Sequence, residues 1–134
     1  MQKRLLYNNP VALRVPLSSL KMDSPNAFEV DGKFPVVVLY DGRAVKVVEE
    51  SCPHMGGPLS RGALCAKDRT LACPWHGYEF STQDLAVARN PNEDMWIRQL
   101  AAEDFDTYKT PKYRLKEVPF ELADGVLTIR PPRP

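Results

Sequence analysis

The sequence predicts a small antiparallel β domain of sandwich or barrel type. Three observations carry that expectation. Short Val-rich runs flank Asp-Gly pairs, and thirteen prolines and seven glycines punctuate the 134 residues. No long amphipathic pattern suits a bundle of helices. The length fits one domain, residues 1–134, with a single modest core.

The elements follow in chain order. "VALRVPLSSL" alternates in polarity, and Pro16 puts that strand at a sheet edge or a strand end. "FPVVVLYDGRAVKVVEE" places two Val-rich strands around Asp41-Gly42, a strong hairpin signal. "GALCAKDRTLAC" predicts a second hairpin, from Gly62 to Ala66 and from Thr70 to Ala72, with a polar turn at Lys67-Asp68-Arg69. "FELADGVLTIR" predicts a third through Asp124-Gly125, with Val126, Thr128 and Arg130 alternating with Leu127 and Ile129. The exception is 92–106, "NEDMWIRQLAAEDFD", where Trp96, Leu100 and Ala101 fall on one helical face and allow a short helix. A Pro-rich tail, "RPPRP", is expected to fray.

Composition excludes several classes. A net charge of +1 and the lack of a basic tract argue against nucleic acid as a partner. No stretch approaches the roughly 18–20 apolar residues that span a bilayer, so no membrane association is expected. "MQKRLLYNNPVALRVP" lacks the apolar core and small-residue cleavage site of a signal peptide. Three cysteines fit a disulfide framework poorly, which points to a reducing, cytoplasmic setting.

Chemistry is concentrated in two stretches, "SCPHMGG" at 51–57 and "ACPWHGYEF" at 72–80. They hold four of the five cysteines and histidines in the chain: Cys52 and His54, then Cys73 and His76. The segment between them holds a hairpin, which would bring the two loops side by side. Thiolates and imidazoles that converge suit zinc or iron–sulfur chemistry. Gly56, Gly57 and Gly77 let the backbone turn tightly beside a bulky group. Pro53, Pro58 and Pro74 stiffen the loops. A structural zinc site draws on the same ligand types, although Cys-x-His is an unusual zinc spacing.

"CPHMGGPLSRG" and "CPWHGYEF" resemble the cluster-binding loops of the Rieske [2Fe-2S] proteins, over roughly Phe34 to Phe80. The resemblance implies a Rieske-type β fold with both loops at one end. It also implies one [2Fe-2S] cluster, with Cys52 and Cys73 on the inner iron and His54 and His76 on the outer. Cys65, between Leu64 and Ala66 in an apolar strand, reads as a buried thiol and not a ligand. Trp75 and Tyr78 read as hydrophobic cover for the cofactor, with a face for a docking partner as the alternative, and Met55 as shielding or contact surface.

High-potential members of the family carry a disulfide between the loops, at positions such as Gly57 and Trp75 here, and a Ser after the second His-Gly. Their absence implies the lower part of the family's range of about −150 to +300 mV. The family's Asp-x-x-Thr-Gly turn after "GYEF" is replaced by "STQDLAVARNP". The stretch Asn92–Lys116 exceeds a minimal Rieske ferredoxin. With Glu93, Asp94, Glu103, Asp104 and Asp106 beside Trp96, Phe105 and Tyr108, it reads as a solvated excursion, with partner docking as the alternative.

Both histidines are committed to the cluster, so none remains for the mononuclear iron of an oxygenase. No G-x-G-x-x-G occurs for a nucleotide cofactor. The resemblance therefore implies an electron-transfer protein and not an enzyme. It would take electrons from a reductase and pass them to a terminal oxygenase or another acceptor, docking transiently near His54 and His76. The alternative is a fixed Rieske subunit of a larger oxidoreductase, or a redox sensor.

Overall fold

The computed structural model describes residues 11–53, 56–65, 67–75, 77–89 and 113–131. The helix expected over 92–106 and most of the Asn92–Lys116 excursion lie outside the described residues, as do His54, Met55, Ala66 and His76.

Among the described residues the elements are β strands and two short 3-10 turns. The strands are β1 (Leu13–Pro16), β2 (Asn26–Val30), β3 (Phe34–Tyr40), β4 (Val45–Glu49) and β5 (Ala63–Cys65). They continue with β6 (Thr70–Ala72), β7 (Glu79–Ser81), β8 (Val87–Arg89), β9 (Glu121–Ala123) and β10 (Val126–Ile129). All named pairings are antiparallel, in three sheets ordered β1-β10-β9, β2-β3-β4 and β5-β6-β7-β8.

The β2-β3-β4 sheet is the middle layer, and β3 shows why. Val36, Val37, Val38 and Leu39 are all buried, where a strand with one wet face would alternate. Val36 and Val38 pack with Val15, Leu127 and Ile129 of the first sheet. Val37 and Leu39 face the other way and pack with Leu71 and Phe80 of the four-stranded sheet. On β4, Val47 and Val48 divide between the same two cores. Each buried valine or leucine contributes about 1.5–3 kcal/mol, so this continuous apolar run holds both outer layers.

Turn chemistry sets the registers. Asp124 (φ 53°) and Gly125 (φ 74°) form the two-residue turn between Ala123 and Val126, and Leu127 and Ile129 point inward as their alternation predicts. The β3–β4 hairpin forms at Asp41-Gly42 with a four-residue loop between Tyr40 and Val45. There Asp41 Oδ1 accepts from the N–H of Arg43 at 2.8 Å and of Ala44 at 2.7 Å. β1 is an edge strand ending at Pro16, which meets both expectations for that proline. A further hairpin, β2–β3 through Asp31-Gly32, and the strands β7 and β8 add to those read from the sequence.

Candidate functional site

The two loops issue from neighbouring strand ends. The first leaves β4, passes the Ser51–Pro58 bridge and ends in a 3-10 turn at Leu59–Arg61. Glu50 Oε1 accepts from the Ser60 N–H at 2.7 Å and ties the two sides of that loop together. The second joins β6, ending at Ala72, to β7, beginning at Glu79.

The loops share one backbone design. Cys52 N–H donates to the Gly57 carbonyl at 2.9 Å, and Cys73 N–H to the Tyr78 carbonyl at 2.8 Å. Gly56 N–H donates back to the Cys52 carbonyl at 2.7 Å, and Gly77 N–H to the Cys73 carbonyl at 3.1 Å. Gly56 (φ 78°) and Gly77 (φ 71°) both take the left-handed conformation, which costs other residues about 1–2 kcal/mol. Cysteine leads each loop and glycine stands four residues on. His54 and His76 fall between these anchors, two and three residues after their cysteines in sequence, and lie outside the described residues.

Cys52 and Cys73 are 2% and 3% exposed and belong to one core cluster with Val37, Val48 and Phe80. The loops also touch directly: a Cβ built on Gly57 would lie 2.9 Å from Cys73 Sγ and 3.2 Å from Trp75 Cγ. Positions 57 and 75, where the resemblance sets the disulfide of high-potential relatives, thus adjoin. None of the three cysteines forms a disulfide. Burying a thiolate is expensive unless a metal binds it. Two cysteines in one dry core, on matching loops, therefore fit the sulfur half of an iron–sulfur site.

Cys65 stands apart. It is half-buried and its Sγ lies 3.5 Å from Asp68 Oδ2, so the expectation of a buried apolar thiol is corrected. Its strand is three residues long and none of them is buried. Tyr78 is buried and its ring lies 5.9 Å from that of Tyr113. Trp75, by contrast, is 56% exposed. Of the two aromatics expected to cover the cofactor, one is interior and one lies largely on the surface.

Side chains cap the turn after β7. Ser81 Oγ accepts from the N–H of Gln83 and Asp84, and Asp84 Oδ1 accepts from Ala86 N–H. That last bond chiefly holds the Asp84 carboxyl below its ordinary 3.8. Leu85 falls where the family's turn has glycine, and it takes the glycine conformation at φ 66°.

The Rieske [2Fe-2S] domain profile matches residues 12–113. The chain belongs to the Rieske [2Fe-2S] family. The family's cofactor is a single [2Fe-2S] cluster. Among solved structures, the ferredoxin of carbazole 1,9a-dioxygenase from Nocardioides aromaticivorans IC177 is similar at TM-score 0.66 and 22% identity, covering 91% of this chain and 99% of that one. The Sphingomonas yanoikuyae B1 ferredoxin is similar at TM-score 0.65 and 21% identity, covering 92% and 100%. Dicamba monooxygenase matches at TM-score 0.62 and 23% identity, over 90% of this Rieske chain and 33% of its own. The cholesterol 7-desaturase of Caenorhabditis elegans is 31% identical over 70 residues, 52% of this chain. The chain spans 16% of that relative's length. No helix among the described residues is long and apolar enough to cross a membrane.

Proposed function

We propose that this chain is a one-electron carrier, a single Rieske domain over residues 1–134 that links a reductase to a terminal oxygenase or another acceptor in a reducing, cytoplasmic setting. The observation that carries this reading is the pair of matching loops, each led by a cysteine buried in the same core. Cys52 and Cys73 would hold one iron of the cluster, and His54 and His76 the other. The cluster supplies reversible one-electron chemistry. The chain's own residues exclude water from the sulfurs and fix the loops by backbone hydrogen bonds. They also present the second loop's Trp75 to solvent. Partners would dock near His54 and His76, and the reaction itself would take place on the acceptor.

The ferredoxin likeness covers nearly the whole of both chains, which favours the free carrier. A second reading, a Rieske unit fixed to a catalytic partner, draws on the desaturase and monooxygenase matches, where the likeness covers only part of a longer protein.

EPR of the dithionite-reduced protein, with iron, sulfide and zinc analysis, tests the assignment. Two irons and two sulfides per chain, with an average g below the free-electron value, are expected. Cys52→Ser, His54→Ala, Cys73→Ser and His76→Ala should each abolish that signal. An EPR-silent protein holding one zinc would overturn it. Rapid reduction by a ferredoxin reductase as a free monomer favours the carrier, and constant co-purification with a large catalytic chain favours the fixed unit.

A further inference from the structure

A groove of about 690 Å³ lies between the middle sheet and the segment that runs into β9. We propose that it is a docking site, at the base of the first cluster loop and away from the second, for a partner protein segment that carries apolar side chains next to lysine or arginine.

The walls are largely apolar. Phe34 and Phe120 are half-buried and contribute to the lining, with Pro35 and Pro119 exposed beside them. The outer edge of β4 is already bonded to the 116–118 segment, Glu49 N–H to the Lys116 carbonyl at 2.9 Å and Val118 N–H to the Val47 carbonyl at 2.7 Å, so it cannot extend a β ladder to an added strand. Recognition must run through side chains. The volume is that of a binding cleft, and an open apolar surface of this kind marks interaction sites.

The rim is acidic. Among the described residues, Glu49, Glu50, Glu117 and Glu121 line the groove against a single cation, Arg130, on a chain whose net charge is +1. Arg130 pairs with Glu121, and Lys46 with Glu117 at 3.5 Å. These exposed pairs are worth little and exchange readily for a partner's cations. Charge here selects and steers the partner, while the phenylalanines and prolines supply contact area.

Position sets the groove apart from the electron-transfer face. It reaches Ser51, the residue before Cys52, and Glu50, whose carboxylate braces the first loop through Ser60. Among the described residues, its lining includes none from the second loop, 73–78. A partner seated here would lie behind the first loop and leave Trp75 exposed.

The test uses the full chain with its cluster loaded. The probe is a fluorescein-labelled ten-residue peptide of alternating leucine and lysine, with a leucine–glutamate peptide as control, in 150 mM salt. Fluorescence anisotropy should show saturable binding of the lysine peptide only. Glu49→Lys with Glu117→Lys should weaken it at least tenfold, and so should Phe120→Ala, with the visible spectrum of the cluster unchanged. Asp23→Lys with Asp68→Lys, the same charge change elsewhere, should leave binding within twofold. Absence of saturable binding, equal binding of the glutamate peptide, or equal loss in the Asp23/Asp68 variant would overturn the proposal. So would a dimer in sedimentation that dissociates in the Glu49/Glu117 variant, which would give the groove to a second copy. Displacement of the peptide by decylamine at equal affinity would give it to a small molecule and overturn it as well.

Discussion

Gly57 of the first loop faces Cys73 of the second so closely that a methyl group at position 57 would sit 2.9 Å from the Cys73 sulfur. The same methyl would meet the Trp75 ring at 3.2 Å. Gly57 is buried, so an added methyl meets these neighbours and not solvent. Gly57→Ala should therefore cost about 1–3 kcal/mol through overpacking. It should also lower cluster retention, read as iron per chain after gel filtration. Full iron content and an unchanged visible circular dichroism spectrum would show that the loops have slack the structure does not display.

Leu85 carries a conflict between backbone and side chain. Its left-handed φ of 66° costs about 1–2 kcal/mol, yet its side chain is 2% exposed and packs in the core that holds Cys52 and Cys73. Removing a buried leucine costs about 2–5 kcal/mol, so packing wins. Leu85→Ala and Leu85→Gly should both destabilise the protein. Alanine keeps the strain and loses the packing, whereas glycine loses the packing and relieves the strain. Leu85→Gly should then be the more stable of the two by about 1 kcal/mol in urea unfolding, reversing the usual order of these residues. Equal or opposite ranking would mean that the turn relaxes when the side chain is removed.

The loops were legible because their signal is local: cysteine, histidine, glycine and proline at fixed spacing, with hairpin turns around them. The Asp41-Gly42 and Asp124-Gly125 hairpins were legible for the same reason. Asp31-Gly32 carried the same signal, and it would have found the β2–β3 hairpin. Strands β7 and β8 are three residues long, too short to show a period of two. The three layers could not be read because the run Val36–Leu39 announces burial on both faces without saying what covers them. The conformation of Leu85 was hidden because leucine itself disfavours a left-handed φ, and its one mark was a place where the family's turn has glycine. The contact between Gly57 and Cys73 joins residues from two loops, and only the fold brings them together.

Cys65 offers a test of the proposed ligand set. Its thiol lies beside Asp68 on a half-buried strand, outside the core of Cys52 and Cys73. Cys65→Ala should retain two irons per chain and the EPR line shape of the parent, with stability changed by less than about 1 kcal/mol. Loss of iron in this variant would bring the third cysteine into the site and undo the ligand assignment.

Asp41 should give the β3–β4 hairpin a dependence on acid. The N–H groups of Ala44 and Arg43 donate to its carboxylate and hold its pKa below the ordinary 3.8, with a smaller contribution from the Arg69 charge. The folded state thus binds this proton less readily than the unfolded chain does. The stabilisation is complete above about pH 4 to 5 and is lost as pH falls through the depressed folded value. The group is exposed, so the effect is modest, under about 1 kcal/mol. Urea unfolding of the parent and of Asp41→Ala, followed by far-ultraviolet circular dichroism, should show a constant gap from pH 7 to about 5. The gap should narrow below about pH 4, where the parent's carboxylate takes up its proton. Asp41→Asn keeps an acceptor but cannot titrate, so its own contribution to the turn should not vary with pH. A gap between parent and Asp41→Ala that stays constant down to pH 3 would mean that these hydrogen bonds do not distinguish the charged carboxylate from the neutral one.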